Sequence, residues 1–183
     1  MVPLHILAIS GSVRAASSNH SLLKAIVHLL PPTATLSYSI GVDQLPPFNP
    51  DHDQQDSPAP EAVATFRRQI ADAAAVLICT PEYAFGIPGT LKNALDWTVS
   101  SGSLNDKPVA AITASPLYTG GDKAMASLLP TLKALGTLMP EPSTLCIPSV
   151  NKLLSPDGAL TDPAMTAQLQ QLIDHLVARA IMP

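Results

Sequence analysis

The sequence predicts an α/β fold: a three-layer arrangement in which a five-stranded parallel sheet, order 2-1-3-4-5, carries helices on both faces. Three observations point there. Short apolar runs rich in β-branched residues alternate with stretches of helical periodicity, in the order βαβαβαβαβα. The runs expected at the centre of the sheet are apolar nearly throughout rather than alternating, as strands covered on both faces must be. The chemically unusual segments all follow strands one, three and four, which is the edge where open sheets of this kind bind ligands.

Each element has its own signal. Leu4–Ser10 is the first strand, an apolar run of strand length. Residues 19–30 form the first helix, with Leu22, Leu23, Ile26, Val27 and Leu30 on one face. Residues 35–40 alternate apolar and polar, which predicts a half-exposed second strand. A Pro-rich loop covers residues 41–60, and its low-complexity part, residues 54–60, is expected to be mobile. Glu61–Asp72 is the second helix, with Val63, Phe66 and Ile70 inward. Residues 74–80 are the third strand and residues 89–99 the third helix. Residues 108–115 give the fourth strand. The fourth helix spans residues 121–135, and Pro130 is expected to kink or split it. Residues 138–147 hold the fifth strand in their later half. Asp162 caps the last helix and Pro163 sits in its first turn; the helix runs to about residue 180. This order suits a flavodoxin-like sheet in a single domain, residues 1–183.

Composition removes several function classes. Hydrophobic residues make up 46% and charged residues 13% of 183, a balance that buries a core and excludes disorder. The net charge is -4 and no basic run exists, which argues against nucleic acid as a partner. No apolar run approaches the roughly 18 residues that span a bilayer. The first apolar run is short and has no positive segment before it, so no signal peptide and a cytoplasmic location are expected. Cys79 and Cys146 stand in no paired motif and read as free thiols. The five histidines lack the spacing of a metal site, and no metal is expected.

The loops carry the chemistry. Residues 9–19, ISGSVRAASSN, precede the first helix, whose unpaired N–H groups and dipole attract an anion. Ser10, Ser12, Ser17 and Ser18 add hydroxyls, Asn19 an amide and Arg14 the single charge, a set suited to a terminal phosphate monoester. There is no Gly-Lys-Ser/Thr ending for a Walker loop, and Gly11 alone does not make a dinucleotide turn. The plain alternative is a solvated cap on the helix through Ser17 or Ser18. The second loop, with Pro81, Glu82, Tyr83, Ala84, Phe85 and Gly86, puts two aromatics and turn residues at the mouth of the third strand. It can lie against a flat ring; alternatively Tyr83 and Phe85 fill core or a subunit contact. Glu82 reads as structural. In the third loop Ser115, Pro116, Gly120 and Gly121 form a second wall mostly from backbone, and Tyr118 either covers a ring or faces solvent. Asp96 and Trp97 read as packing or interface residues.

Taken together, these segments resemble the NAD(P)H-dependent FMN reductase family, the flavodoxin-like branch that includes quinone, azo-dye and chromate reductases. Gly11, Ser12, Arg14, Ser17 and Asn19 match its first-loop hallmark. Pro81, Glu82, Tyr83, Pro88, Gly89, Leu91, Lys92, Asn93, Ala94, Asp96 and Trp97 match its second, and residues 45–51 are similar to its long loop. Two departures stand out: Ala84 where the family usually has asparagine, and Leu117 where glycine is common. The first predicts weaker retention of the flavin. The resemblance implies FMN as cofactor, held by the loop residues named above from Ser10 to Gly121, with NADPH or NADH as co-substrate. It implies hydride transfer to FMN, then two electrons to an acceptor such as a quinone, azo dye, chromate or free flavin, with no catalytic side chain of the protein's own. It further implies a homodimer or homotetramer, with Trp97, residues 45–53 and the third helix as candidate contacts. The alternative is a flavodoxin-like electron carrier or flavin-binding module without NAD(P)H turnover.

Overall fold

The computed structural model describes residues 3–54 and 59–182. The strands are β1 (Leu4–Ser10), β2 (Ala34–Tyr38), β3 (Ala75–Thr80), β4 (Val109–Ala114) and β5 (Thr144–Ile147). They pair in parallel in the order β2-β1-β3-β4-β5. The helices are α1 (Ser18–Ile26), α2 (Glu61–Asp72), α3 (Gly89–Asp96), α4 (Asp122–Ala134) and α5 (Pro163–Ile181). Side chains of a strand alternate between faces, so the sheet divides the core in two. Leu7, Ile9, Val76, Ile78, Val109 and Ala111 pack under α2, α3 and α4. Ile6, Ala8, Leu77, Ala110 and Ile112 pack under α1 and α5. Every residue of β3 and β4 is buried, while the outer strand β2 is half-exposed as its alternation predicts.

Several boundaries differ from expectation for identifiable reasons. The first helix gives way at Val27–Leu29 to a 3-10 turn, and Leu30 is extended because it precedes Pro31. The third helix stops at Asp96, after which Thr98 and Val99 donate three residues back rather than four. β5 occupies only Thr144–Ile147, since Pro140 and Pro142 cannot donate to a ladder. Pro130 does not split α4, which is continuous from Asp122 to Ala134. Pro130 and Ala126, whose carbonyl it leaves without its helical donor, both lie on the exposed face, where the vacant acceptor is open to solvent. Asp162 caps α5 as expected, accepting from the N–H groups of Ala164 and Met165.

The long loop after β2 contains 3-10 turns at Val42–Gln44 and Pro50–His52. The mobility expected of residues 54–60 falls mainly on 55–58, outside the described residues. Two helices pin the rest. Asn93 accepts from Phe48 N at 2.7 Å and donates to Pro46 O at 2.9 Å. The Trp97 indole donates to the same carbonyl at 2.8 Å. Arg67 of α2 grips Asp53 with both ends of its fork, at 2.9 and 2.7 Å, and donates to Trp97 O at 2.7 Å. Trp97 is thereby corrected from a candidate subunit contact to a core residue: it is fully buried, with Phe48 edge-on at 5.0 Å.

Candidate functional site

Between β1 and β3 the chain departs in opposite directions, and the loops beyond their carboxyl ends separate. A cleft of about 250 Å³ opens there. The first loop lines it with Ser12, Arg14, Ser17, Ser18 and Asn19, the second with Pro81, Glu82 and Tyr83, the third with Ser115, Pro116 and Leu117. Ser12, Ser17 and Asn19 are buried although polar. Buried polar groups need partners. Ser17 caps α1 by accepting from Asn19 N at 3.2 Å. Ser12 Oγ accepts from Arg14 N at 3.4 Å. The Asn19 side-chain carbonyl accepts from the Cys79 thiol at 3.2 Å. Burial pushes the Cys79 thiol up, so it stays protonated and keeps donating. Arg14 is exposed at the cleft and has no carboxylate partner among the described residues. A cleft wall of helix N-terminus, hydroxyls and an exposed guanidinium offers the donors and charge that an acceptor-only anion needs.

The remaining residues singled out in the sequence lie beside this lining. Ser10 is turned onto Ser12, 3.2 Å from its backbone N and O, and borders a separate small cavity next to β2. Glu82 borders the cleft, and its carboxylate accepts from Lys123 N and Ala124 N, both at 3.0 Å. It caps the first turn of α4, where a negative charge is stabilised by the dipole. Tyr83 and Gly86 exchange backbone bonds of 2.9 and 3.0 Å, closing a two-residue turn whose centre is Ala84 and Phe85. Both are left-handed, at φ +48° and +62°. Tyr83 and Phe85 are exposed, so neither fills the core. Tyr118 is 88% exposed and faces solvent, and Leu117 is exposed on the rim. Gly120 and Gly121, both at positive φ, shape the third loop from behind. A Cβ on Gly120 would sit 2.9 Å from the backbone N of Ile147 and Pro148.

Sequence reasoning missed the fourth side of the cleft. Val150 and Asn151, in a 3-10 turn (Val150–Lys152) after β5, line it as well. Ser18 Oγ donates to Asn151 Oδ1 at 2.8 Å across the mouth. The rule that ligands gather at carboxyl ends of strands covers the segment after β5, but that segment holds no glycine-rich or hydroxyl-rich run to draw attention.

Comparison with known proteins gives a consistent picture. The family described as NADPH-dependent FMN reductase matches residues 4–152. An NAD(P)H-dependent FMN reductase of Pseudomonas aeruginosa is 31% identical over 175 residues, covering 94% of this chain and 93% of that protein. A quinone reductase of Escherichia coli is 28% identical over 179 residues, covering 96% and 91%. Among solved structures, the flavoenzyme NAD(P)H:(acceptor) oxidoreductase FerB of Paracoccus denitrificans superimposes with a TM-score of 0.82 at 30% identity, covering 97% of each chain.

Proposed function

The chain belongs to the NADPH-dependent FMN reductase family, and from that premise we propose that its cleft holds FMN with the phosphate on the first loop and the ring between the second and third. It is an oxidoreductase of the NAD(P)H-dependent FMN reductase and quinone reductase type. The observation that carries the site assignment is the buried set Ser12, Ser17 and Asn19 at the N-terminus of α1 beside the exposed Arg14. A phosphate monoester accepts hydrogen bonds and carries negative charge, and this wall supplies donors and one cation.

Bound there, FMN would supply the redox chemistry, hydride acceptance from NAD(P)H and delivery of two electrons to a second acceptor. The protein's own groups bind and orient. Ser12, Ser17 and Asn19 fix the phosphate end, with Ser18 beside them at the start of α1, and Arg14 neutralises it. Pro81, Glu82 and Tyr83 form one wall for the ring, and Ser115, Pro116 and Leu117 the other. The strained turn of Ala84, Phe85 and Gly86 and the exposed Tyr118 border the open face where NAD(P)H and acceptor enter. Ser10, Gly120 and Gly121 hold the loops in shape from behind. Glu82 spends its carboxylate on α4, which keeps that end of the second wall in place.

The acceptor we favour is a quinone, a reading supported by the relatives that are named quinone reductases. We also propose that the chain works in the cytoplasm as a homodimer or homotetramer. Among the described residues no helix is long and apolar enough to cross a membrane. Exposed Tyr83, Phe85 and Leu117 on the rim supply apolar surface for a second copy to cover; light scattering at the monomer mass would refute the assembly.

The central test is a titration of flavin-free protein with FMN, followed by NADPH without oxygen. Saturable FMN binding and bleaching of the flavin band, reversed by added benzoquinone, are expected. Binding without bleaching would instead favour the electron-carrier alternative, and no binding would return the serine loop to a solvated helix cap.

A further inference from the structure

Ser18 stands at the start of α1, and its hydroxyl has one proton. That proton goes to Asn151 Oδ1 at 2.8 Å, so none is left for an anion in the cleft. The amide on the other side of this bond has two donors of its own on Nδ2. Asn151 borders the same cleft as Ser12, Arg14 and Ser17. Its place is set by backbone rather than by chance of a surface loop. Ser149 turns the chain at φ +49°, and its N–H donates to Leu117 O at 3.1 Å. The N–H of buried Val150 donates to Ser115 O at 3.1 Å. Lys152 N closes the turn onto Ser149 O at 2.8 Å.

We infer that Asn151 is a ligand of the anion bound at the N-terminus of α1, with Oδ1 held by Ser18 and Nδ2 donating to the phosphate. The inference rests on the FMN reading above. It gives Ser18 a positioning role in place of direct contact. It also ties the phosphate to the third loop through Leu117 and Ser115, so that filling one end of the cleft steadies a wall at the other.

The test compares FMN with riboflavin, which has the same ring and no phosphate. Both are titrated into flavin-free wild type and Asn151→Asp, with binding read from quenching of flavin fluorescence. Aspartate keeps the shape and the acceptor that Ser18 needs, but loses both donors and adds negative charge. FMN affinity is expected to fall by about tenfold or more, with riboflavin affinity unchanged. Retention of the wild-type preference for FMN in Asn151→Asp would overturn the role of Asn151 alone. Equal weakening of both flavins would make Asn151 a brace of the loop and overturn it too. A wild type that binds FMN no better than riboflavin would overturn the phosphate reading itself, and this inference with it. A urea midpoint equal to that of wild type shows that the exposed substitution leaves the fold intact.

Discussion

Ala84 and Phe85 occupy the two central positions of a turn that demands positive φ at both, and neither residue is suited to it. Asparagine tolerates this conformation because its short amide bonds locally, whereas an alanine Cβ crowds the backbone. Strain of this kind persists where the surroundings impose it, and here the reciprocal bonds of Tyr83 and Gly86 do so. Ala84→Asn is therefore expected to stabilise the flavin-free protein by about 0.5–1 kcal/mol. The added amide is also expected to tighten FMN. Urea unfolding and an FMN titration check the two effects separately, and an unchanged urea midpoint would remove the strain argument. The turn itself was legible only in part. Pro81, Gly86 and Pro88 announce a bend, but nothing in Ala-Phe announces left-handed backbone, because the constraint comes from the reciprocal bonds of Tyr83 and Gly86.

Among the elements, α2 and α3 act as a clamp on the long loop that follows β2. The Arg67 guanidinium bonded to Asp53 holds its carboxyl below the usual carboxylate range; burial opposes this, and the Ser100 hydroxyl adds to the lowering. A carboxyl depressed in the folded state stabilises the fold fully above its unfolded value, and that contribution disappears as pH falls through the folded value. Asp53→Asn is thus expected to destabilise at neutral pH and to flatten the acid limb of the stability curve below about pH 5. Urea midpoints from neutral pH down to the acid transition measure it; parallel curves for the two proteins would show that the clamp contributes nothing. The helices themselves were legible from periodicity and capping residues. Their second task was not, because Asn93 and Trp97 reach Pro46 and Phe48 across more than forty positions of chain.

At the scale of the molecule, the cleft draws on the loops after four of the five strands, so a ligand there bridges segments spread over most of the chain. A ligand that binds only the folded state stabilises it by about 2.7 kcal/mol at a hundred times its Kd. For a chain of this size that corresponds to a rise of roughly 5–10 °C in the thermal midpoint. Differential scanning fluorimetry with FMN is expected to show it, with riboflavin at the same concentration giving less. A midpoint indifferent to FMN would show that the folded protein does not bind it.

Local pattern determined the strands and helices, their alternation pointed to the flavodoxin-like sheet order, and the loop chemistry pointed to the edge of the candidate site. Apolar runs report burial on both faces, helical spacing reports burial on one, and Ser, Gly and Pro mark the loops that neither pattern can explain. Only the tertiary structure decided which side chains complete that site. Glu82 caps a helix 41 residues further on, Cys79 orients Asn19 across 60, and Ser18 meets Asn151 across 133. The parallel sheet brings these pairs together by aligning the carboxyl ends of strands far apart in the chain, and hydrogen bonds act over about 3 Å whatever the separation in sequence.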